Sequence, residues 1–209
     1  MFHDYFRKKR VLVTGHTGFK GSWLCEWLLQ LGAAEVGGYS VDVPTKPAHF
    51  EVLGLPKRMR HVLGDVRDEK AFAAFCLEFK PDVVFHLAAQ PLVRDSYDDP
   101  IGTFHTNVLG TAIVFNTLRK VPSVRVAVNI SSDKCYENRE WEFGYRETDP
   151  MGGKDPYSAS KGCAELVFAS MFRSFFADPG KNPNLKIASA RAGNVIGGGD
   201  WAKDRIVVD

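Results

Sequence analysis

Cysteine is scarce in this chain. The 209 residues hold four, Cys25, Cys76, Cys135 and Cys163, with no C-x-x-C pair and no histidine partner at zinc-finger spacing. That pattern excludes a disulfide scaffold and a zinc ribbon, so reduced thiols and no metal site are expected. Charge of one sign is equally short: 27 lysines and arginines face 25 aspartates and glutamates, a formal net of +2. A chain so balanced has no long-range draw toward nucleic acid or a membrane surface, and any anion site must be local. Long apolar runs are missing too, since charges or glycines interrupt every stretch before the ~20 residues that span a bilayer. No internal repeat or low-complexity segment is visible. Met1 to Arg10 carries Arg7-Lys8-Lys9-Arg10 without an apolar run or a small-residue cleavage site. No export signal is therefore read, a cytoplasmic location is expected, and the basic tetrad is taken as a solvated lead-in to the first strand.

What is present is ordinary globular material, 44% apolar, 25% charged and 12% aromatic, enough for one domain or one and a half. The primary signal is alternation. Arg10-Val11-Leu12-Val13-Thr14, ended by Gly15, reads as a strand buried on both faces. Phe19 to Leu31 reads as a helix with Trp23, Leu24, Trp27, Leu28 and Leu31 on one stripe and Gly32 as its stop. Val36 to Val41, His61 to Asp65, Asp82 to Leu87, Val124 to Ile130 and Leu185 to Ala190 read as further strands. Between them stand helices over Glu69 to Phe79, Pro100 to Lys120 and Pro156 to Phe176. Pro44 to Lys57, with three prolines, reads as a loop with at most a short helix, and Asn138 to Lys154 as a long loop before a helix. This rhythm predicts an α/β fold, a doubly wound parallel sheet with helices on both faces.

Three groups of residues carry chemistry. Gly15-His16-Thr17-Gly18-Phe19-Lys20-Gly21 lies between the first strand and the first helix. There one glycine allows the turn, one lets backbone N–H groups approach a pyrophosphate, and one lets the helix pack closely. An acid about 20 residues further on would hold ribose hydroxyls; Asp42 fits, and Ser40 is the alternative at the strand tip. With no arginine directly after that strand, NAD is expected rather than NADP. Asp155-Pro156 is a natural helix start, which places Tyr157 and Lys161 at i and i+4 on one face. An ammonium near a phenol favours the phenolate, a base able to take a substrate hydroxyl proton. The third group is Ser131-Ser132-Asp133-Lys134, a hydroxyl followed by an acid and a base at the end of the fifth strand.

The glycine spacing resembles the extended branch of the short-chain dehydrogenase/reductase superfamily, whose fold is Rossmann-like. That resemblance implies further cofactor contacts from Asp65 and Val66 and from Leu87-Ala88-Ala89-Gln90, a largely structural role for Asn107, and a catalytic set of Ser132, Tyr157 and Lys161. Ser132-Asp133-Lys134 is similar to the pair that nucleotide-sugar 4,6-dehydratases place after the hydroxyl residue. Most have glutamate where this chain has Lys134, and the lysine resembles the CDP-glucose branch. So do Phe19-Lys20-Gly21-Ser22-Trp23, Arg191-Ala192-Gly193-Asn194 and Gly198-Gly199-Asp200-Trp201.

The resemblance implies conversion of CDP-D-glucose to CDP-4-keto-6-deoxy-D-glucose and water, an early step toward deoxysugars of bacterial surface polysaccharides such as O-antigen. Asp133 would be the acid and Lys134 the base. Arg94, Ser132, Asn194 and Arg205 would contact substrate, with Tyr97 near the sugar and Arg191 anchoring its strand. It also implies a homodimer through the two long helices. The expected division is a cofactor domain over 1–190 and the start of a substrate-binding region over 191–209, with most of that smaller domain lacking, as in the amino-terminal portion of a longer enzyme. A 4-epimerase of the same superfamily and an inactive cofactor-binding sensor or scaffold are the alternatives. The first needs only the Tyr-Lys pair; the second would bind cofactor without turnover.

Overall fold

The computed structural model describes residues 2–178, 180 and 184–204; Arg205 lies outside them. Six strands, β1 (Arg10–Thr14), β2 (Glu35–Ser40), β3 (Arg60–Leu63), β4 (Val83–His86), β5 (Val126–Ser132) and β6 (Lys186–Ala192), form one sheet in the order β3-β2-β1-β4-β5-β6. Every pairing in it is parallel. The order reverses between β1 and β4, and ligands of such sheets bind in the crevice at the carboxyl ends of the strands at that point. The helices are α1 (Phe19–Gln30), α2 (His49–Val52), α3 (Glu69–Phe79), α4 (Val93–Asp98), α5 (Pro100–Phe104), α6 (Gly110–Leu118) and α7 (Pro156–Met171). A π turn, His105–Leu109, joins α5 to α6, and a second, Phe172–Phe176, follows α7.

The apolar run of β1 is continuous because the sheet is coated on both faces. Leu12 points into a cluster with Phe72 and Phe79 of α3 and Phe115 and Leu118 of α6. Val11 and Val13 point the other way, toward Cys25 and Leu28 of α1 and Phe50 of α2. Each such side chain, fully buried, contributes about 1.5–3 kcal/mol of transfer free energy. Caps fix the helix starts: Asp68 accepts from Ala71 N before α3, and Asp155 from Ser158 N before α7, with Pro156 in the first turn.

Several expectations need correction. Only part of the apolar stripe of α1 is buried, Leu28 fully and Leu24 partly. Gly21, Ser22, Cys25 and Leu28 face the sheet, while Trp23 and Trp27 stand 45% and 44% exposed. Small residues win there because the glycine loop brings the helix against the backbone: a Cβ on Gly21 would collide with the carbonyl oxygen of Gly15. The helix α4 lies outside the expected elements, and every strand but β1 starts or ends one or two residues off its expected bounds. The loop after β5 is largely exposed, with Tyr145 stacked on Tyr136 rather than in a core of its own.

Candidate functional site

The carboxyl ends of β1, β2, β4, β5 and β6 open onto one cleft of about 430 Å³. Gly15, Thr17, Gly18, Phe19, Lys20 and Gly21 form its floor, Ser40 and Asp42 one end, Asp65 and Val66 a side, and Leu87, Ala88, Ala89 and Gln90 the turn after β4. Ser132, Tyr157, Lys161 and Asn194 line the opposite part. Gly15 and Asp200, at opposite ends of the chain, therefore line one cleft.

The floor fits a dinucleotide. Gly15 has φ +72°, and a Cβ on it would lie 2.7 Å from Ala88 N, so only glycine permits this closeness. No side chain caps the start of α1 at Gly18, which leaves first-turn N–H groups and the positive end of the helix dipole toward the cleft. Ser131, 4% exposed and lining the same cleft, has a hydroxyl with no partner among the described residues. A buried orphan of this kind marks where a ligand's polar group completes the wall.

At the end of the cleft beside β2, Asp42 and Ser40 both reach it. The Ser40 hydroxyl lies 3.0 Å from that of Thr17, whereas the Asp42 carboxylate accepts from its neighbour's N–H, Val43 at 2.7 Å. Asp65 is gripped by Arg67 through contacts of 2.6–3.0 Å, and that guanidinium holds its carboxyl below the usual range. Arg67 lines the cleft and was missed in the sequence; its place two residues after a strand-end acid was the available signal.

The Tyr-Lys pair sits on the first turns of α7. Lys161 Nζ lies 5.7 Å from the centre of the Tyr157 ring. Burial, reinforced by the positive charge of Lys20, brings the Lys161 ammonium down to about 8. Beside it, Ser132 donates to Asp133 Oδ1 at 3.0 Å and accepts from Lys134 N at 3.2 Å. Lys134 Nζ reaches Asp133 Oδ2 at 3.1 Å, and both side chains are 43% exposed. Asp133 belongs to a neighbouring hollow with Tyr136, Tyr145 and Arg191 rather than to the cleft wall. Arg191 is tied to Glu165 at 2.7 Å and to the Tyr136 hydroxyl at 2.8 Å, which raises it further, in keeping with a strand anchor.

Four named residues are placed elsewhere. The His16 ring turns inward against Gly38, with Nε2 2.7 Å from His61 Nδ1, and burial followed by His61 brings it down to about 3. Asn107 stands behind the cleft, where it accepts from Gln90 N. Arg94 points to solvent and pairs with Asp204 at 3.1 Å, and Tyr97 beside it on α4 is exposed. The described residues hold no cluster of metal ligands and no helix long and apolar enough to cross a membrane. All four cysteines are unbridged.

A family model described as GDP-mannose 4,6 dehydratase matches residues 12–176. A CDP-glucose 4,6-dehydratase of Salmonella typhimurium is 56% identical over 208 residues, 99% of this chain and 57% of that protein. DesIV of Streptomyces venezuelae, a dTDP-glucose 4,6-dehydratase solved with NAD and TYD bound, matches at TM-score 0.74 and 26% identity, over 87% of this chain and 55% of its own. A Thermus thermophilus UDP-glucose 4-epimerase in complex with NAD matches at TM-score 0.71 and 31% identity, over 87% and 54%. The chain thus spans between 54% and 57% of the length of these three relatives.

Proposed function

The chain belongs to the GDP-mannose 4,6 dehydratase family, and from that premise we propose that it is the cofactor-binding and catalytic part of an NAD-dependent nucleotide-sugar 4,6-dehydratase. The substrate in this reading is CDP-D-glucose and the products are CDP-4-keto-6-deoxy-D-glucose and water. The observation that carries it is the acid and base, Asp133 and Lys134, in the turn directly after Ser132, the strand end that lines the cleft with Tyr157 and Lys161. The 56% identity to the Salmonella CDP-glucose enzyme supports the nucleotide.

Bound NAD supplies a hydride store, filled from C4 of the sugar and emptied onto C6. Tyr157, as phenolate favoured by the Lys161 ammonium, takes the C4 hydroxyl proton, and Ser132 hydrogen-bonds that oxygen. The new C4 ketone acidifies the C5 hydrogen. Lys134 removes it while Asp133 protonates the C6 hydroxyl, which leaves as water. The pairing of Lys134 with Asp133 has a direct bearing on this step. An ammonium cannot act as a base and a carboxylate cannot act as an acid. Transfer of one proton along the hydrogen bond that joins them, from Nζ to Oδ2, produces both active forms at once. Exclusion of water favours that transfer, because it discharges an ion pair; bound sugar over these half-exposed groups supplies the exclusion.

The same reading places a cofactor domain in 1–190 and the start of a substrate-binding region in 191–209. It places the protein in the cytoplasm on a route to surface polysaccharide, as a homodimer through the helices from Pro100 and Pro156. Exposed Ile101, Leu109 and Leu166 support that face. The test is Asp133→Asn with NAD and CDP-glucose. The expected outcome is formation of NADH absorbance without 6-deoxy product. Normal product formation would remove Asp133 from the role of acid, and a C4-epimerised sugar from the unaltered chain would establish the epimerase reading instead.

A further inference from the structure

Behind the cleft a chain of hydrogen bonds runs from the end of β1 to the first turn of α7, and its direction can be deduced donor by donor. Thr14 Oγ1 accepts from the Ala88 N–H at 3.2 Å and from the Leu87 N–H at 3.2 Å, the latter shared with the Thr14 carbonyl oxygen at 3.2 Å. With its lone pairs so engaged, its one hydrogen goes to His86 Nδ1, 2.8 Å away. His86 Nδ1 is then an acceptor, and the ring proton sits on Nε2, 3.4 Å from Thr111 Oγ1. Thr111 donates onward to the Asn107 carbonyl at 2.7 Å. The Asn107 side chain donates to the Gln90 carbonyl at 3.1 Å and to Ser160 Oγ at 2.8 Å, and Ser160 donates to the Tyr157 carbonyl at 2.6 Å. Thr14, His86, Asn107, Thr111 and Ser160 are all at most 4% exposed.

From this geometry we propose that His86, in its Nε2–H form, is a positioning residue that locks the β1 end and the turn after β4 to the tyrosine helix. It would thereby set the width of the cofactor cleft. The inference rests on the cofactor reading above for its consequence, though not for the tautomer itself. His86 touches no reacting atom; it acts through Thr14, whose hydroxyl holds the Leu87 and Ala88 amides where Gly15 must pass within contact of Ala88. The π turn His105–Leu109 serves the same network, since it brings Asn107 and Thr111 into it within one stretch of helix.

An imidazolium does not fit. A hydrogen on Nδ1 would meet the Thr14 hydroxyl hydrogen, and turning that hydroxyl away would aim it toward the amide side, where the Ala88 N–H has Oγ1 as its acceptor while the Leu87 N–H keeps the Thr14 carbonyl at 3.2 Å. The groups around the ring are Thr14 from β1, Thr111 from α6, Phe115 with its centre 6.3 Å off, and Lys161 from α7 as the only one of these four that carries charge. Burial and that ammonium together bring His86 down to about 3.

The test uses the full 209-residue chain. Nitrogen NMR of the imidazoles, assigned by loss of the signal in His86→Leu, should show His86 with Nδ1 unprotonated and Nε2 protonated, unchanged from pH 8 to 5. Proton on Nδ1, or titration near pH 6.5, would overturn the assignment. NAD titration should give about tenfold weaker binding for His86→Leu and recovery to within about threefold for His86→Asn, whose Oδ1 can accept from Thr14. Equal affinity of the leucine variant and the unaltered chain would overturn the positioning role. If the unaltered chain bound no NAD, the cofactor reading and with it the positioning role would fall, while the tautomer result would stand on the NMR alone.

Discussion

The two walls of the cleft are built to different standards. On the glycine-loop side, β1 and β2 are buried almost throughout, side chains interlock with backbone, and each polar group named in the network has its partner. On the other side, β6 alternates between exposed and half-buried residues along its whole length. Outside the cleft wall, Asp133 of the neighbouring hollow pairs with Lys134, and Arg94 on solvent-facing α4 pairs with Asp204. A binding wall for a cofactor common to many enzymes is preorganised, and its cost was met in folding. In the proposed reading, the groups assigned to substrate and elimination must change partners during the reaction, and their lesser burial suits that.

That contrast can be broken at four depths. The deepest is chemical: Lys161→Met removes the buried cation beside Tyr157, and NADH formation with CDP-glucose should fall about 10²–10⁴-fold, with NAD still bound. Stopped-flow absorbance reads it. Next is the cradle. Gly21→Ala should destabilise the chain by about 1–3 kcal/mol and abolish measurable NAD binding, because the new methyl meets backbone, the Gly15 carbonyl and His16 Cα, that cannot swing aside. Thermal unfolding and titration report the two effects separately.

The third is pH. His16 and His86 are brought down to about 3, chiefly by burial, whereas in the unfolded chain each titrates near 6.5. Between these values the unfolded chain binds more protons, so stability falls on acidification from pH 6.5 toward 3. Each histidine adds up to about 1.4 kcal/mol per pH unit in that window. Denaturant unfolding at pH 7 and 5.5 should show the loss, and a variant with His86 replaced by asparagine should show a smaller one. The smallest effect belongs to the open wall. Asp133→Asn and Arg94→Ala should each change stability by less than about 1 kcal/mol, since exposed ion pairs contribute little.

Much of this was legible in the residues. The β-branched run at Val11 to Val13 before a glycine, the Asp155-Pro156 start and the i, i+4 spacing of Tyr157 and Lys161 are local signals, and local signals gave the strands, the parallel sheet and the pair. What escaped depends on direction. Nothing in the sequence says that His16, in the middle of the glycine loop, turns its ring into the core, because that follows from the hole left by Gly38 on the next strand. The helix Val93–Asp98 has no apolar period. Its Ser96 hydroxyl accepts from Tyr157 N and donates to the Val93 carbonyl, a tertiary reason that no window of sequence contains. The tryptophans of α1 misled for the opposite cause: their periodicity is real, but small residues own the face toward the sheet.

The central claim is that residues of the glycine loop, the β4 turn and the tyrosine helix already form a cofactor site in this chain. Its most direct measurement is titration of the unaltered 209-residue chain with NAD, followed by tryptophan fluorescence and checked by calorimetry. The account predicts saturable binding at one site per chain, lost in Gly21→Ala and unaffected by Asp133→Asn. Absence of saturable binding by the folded chain, or equal binding by the Gly21 variant, would contradict it.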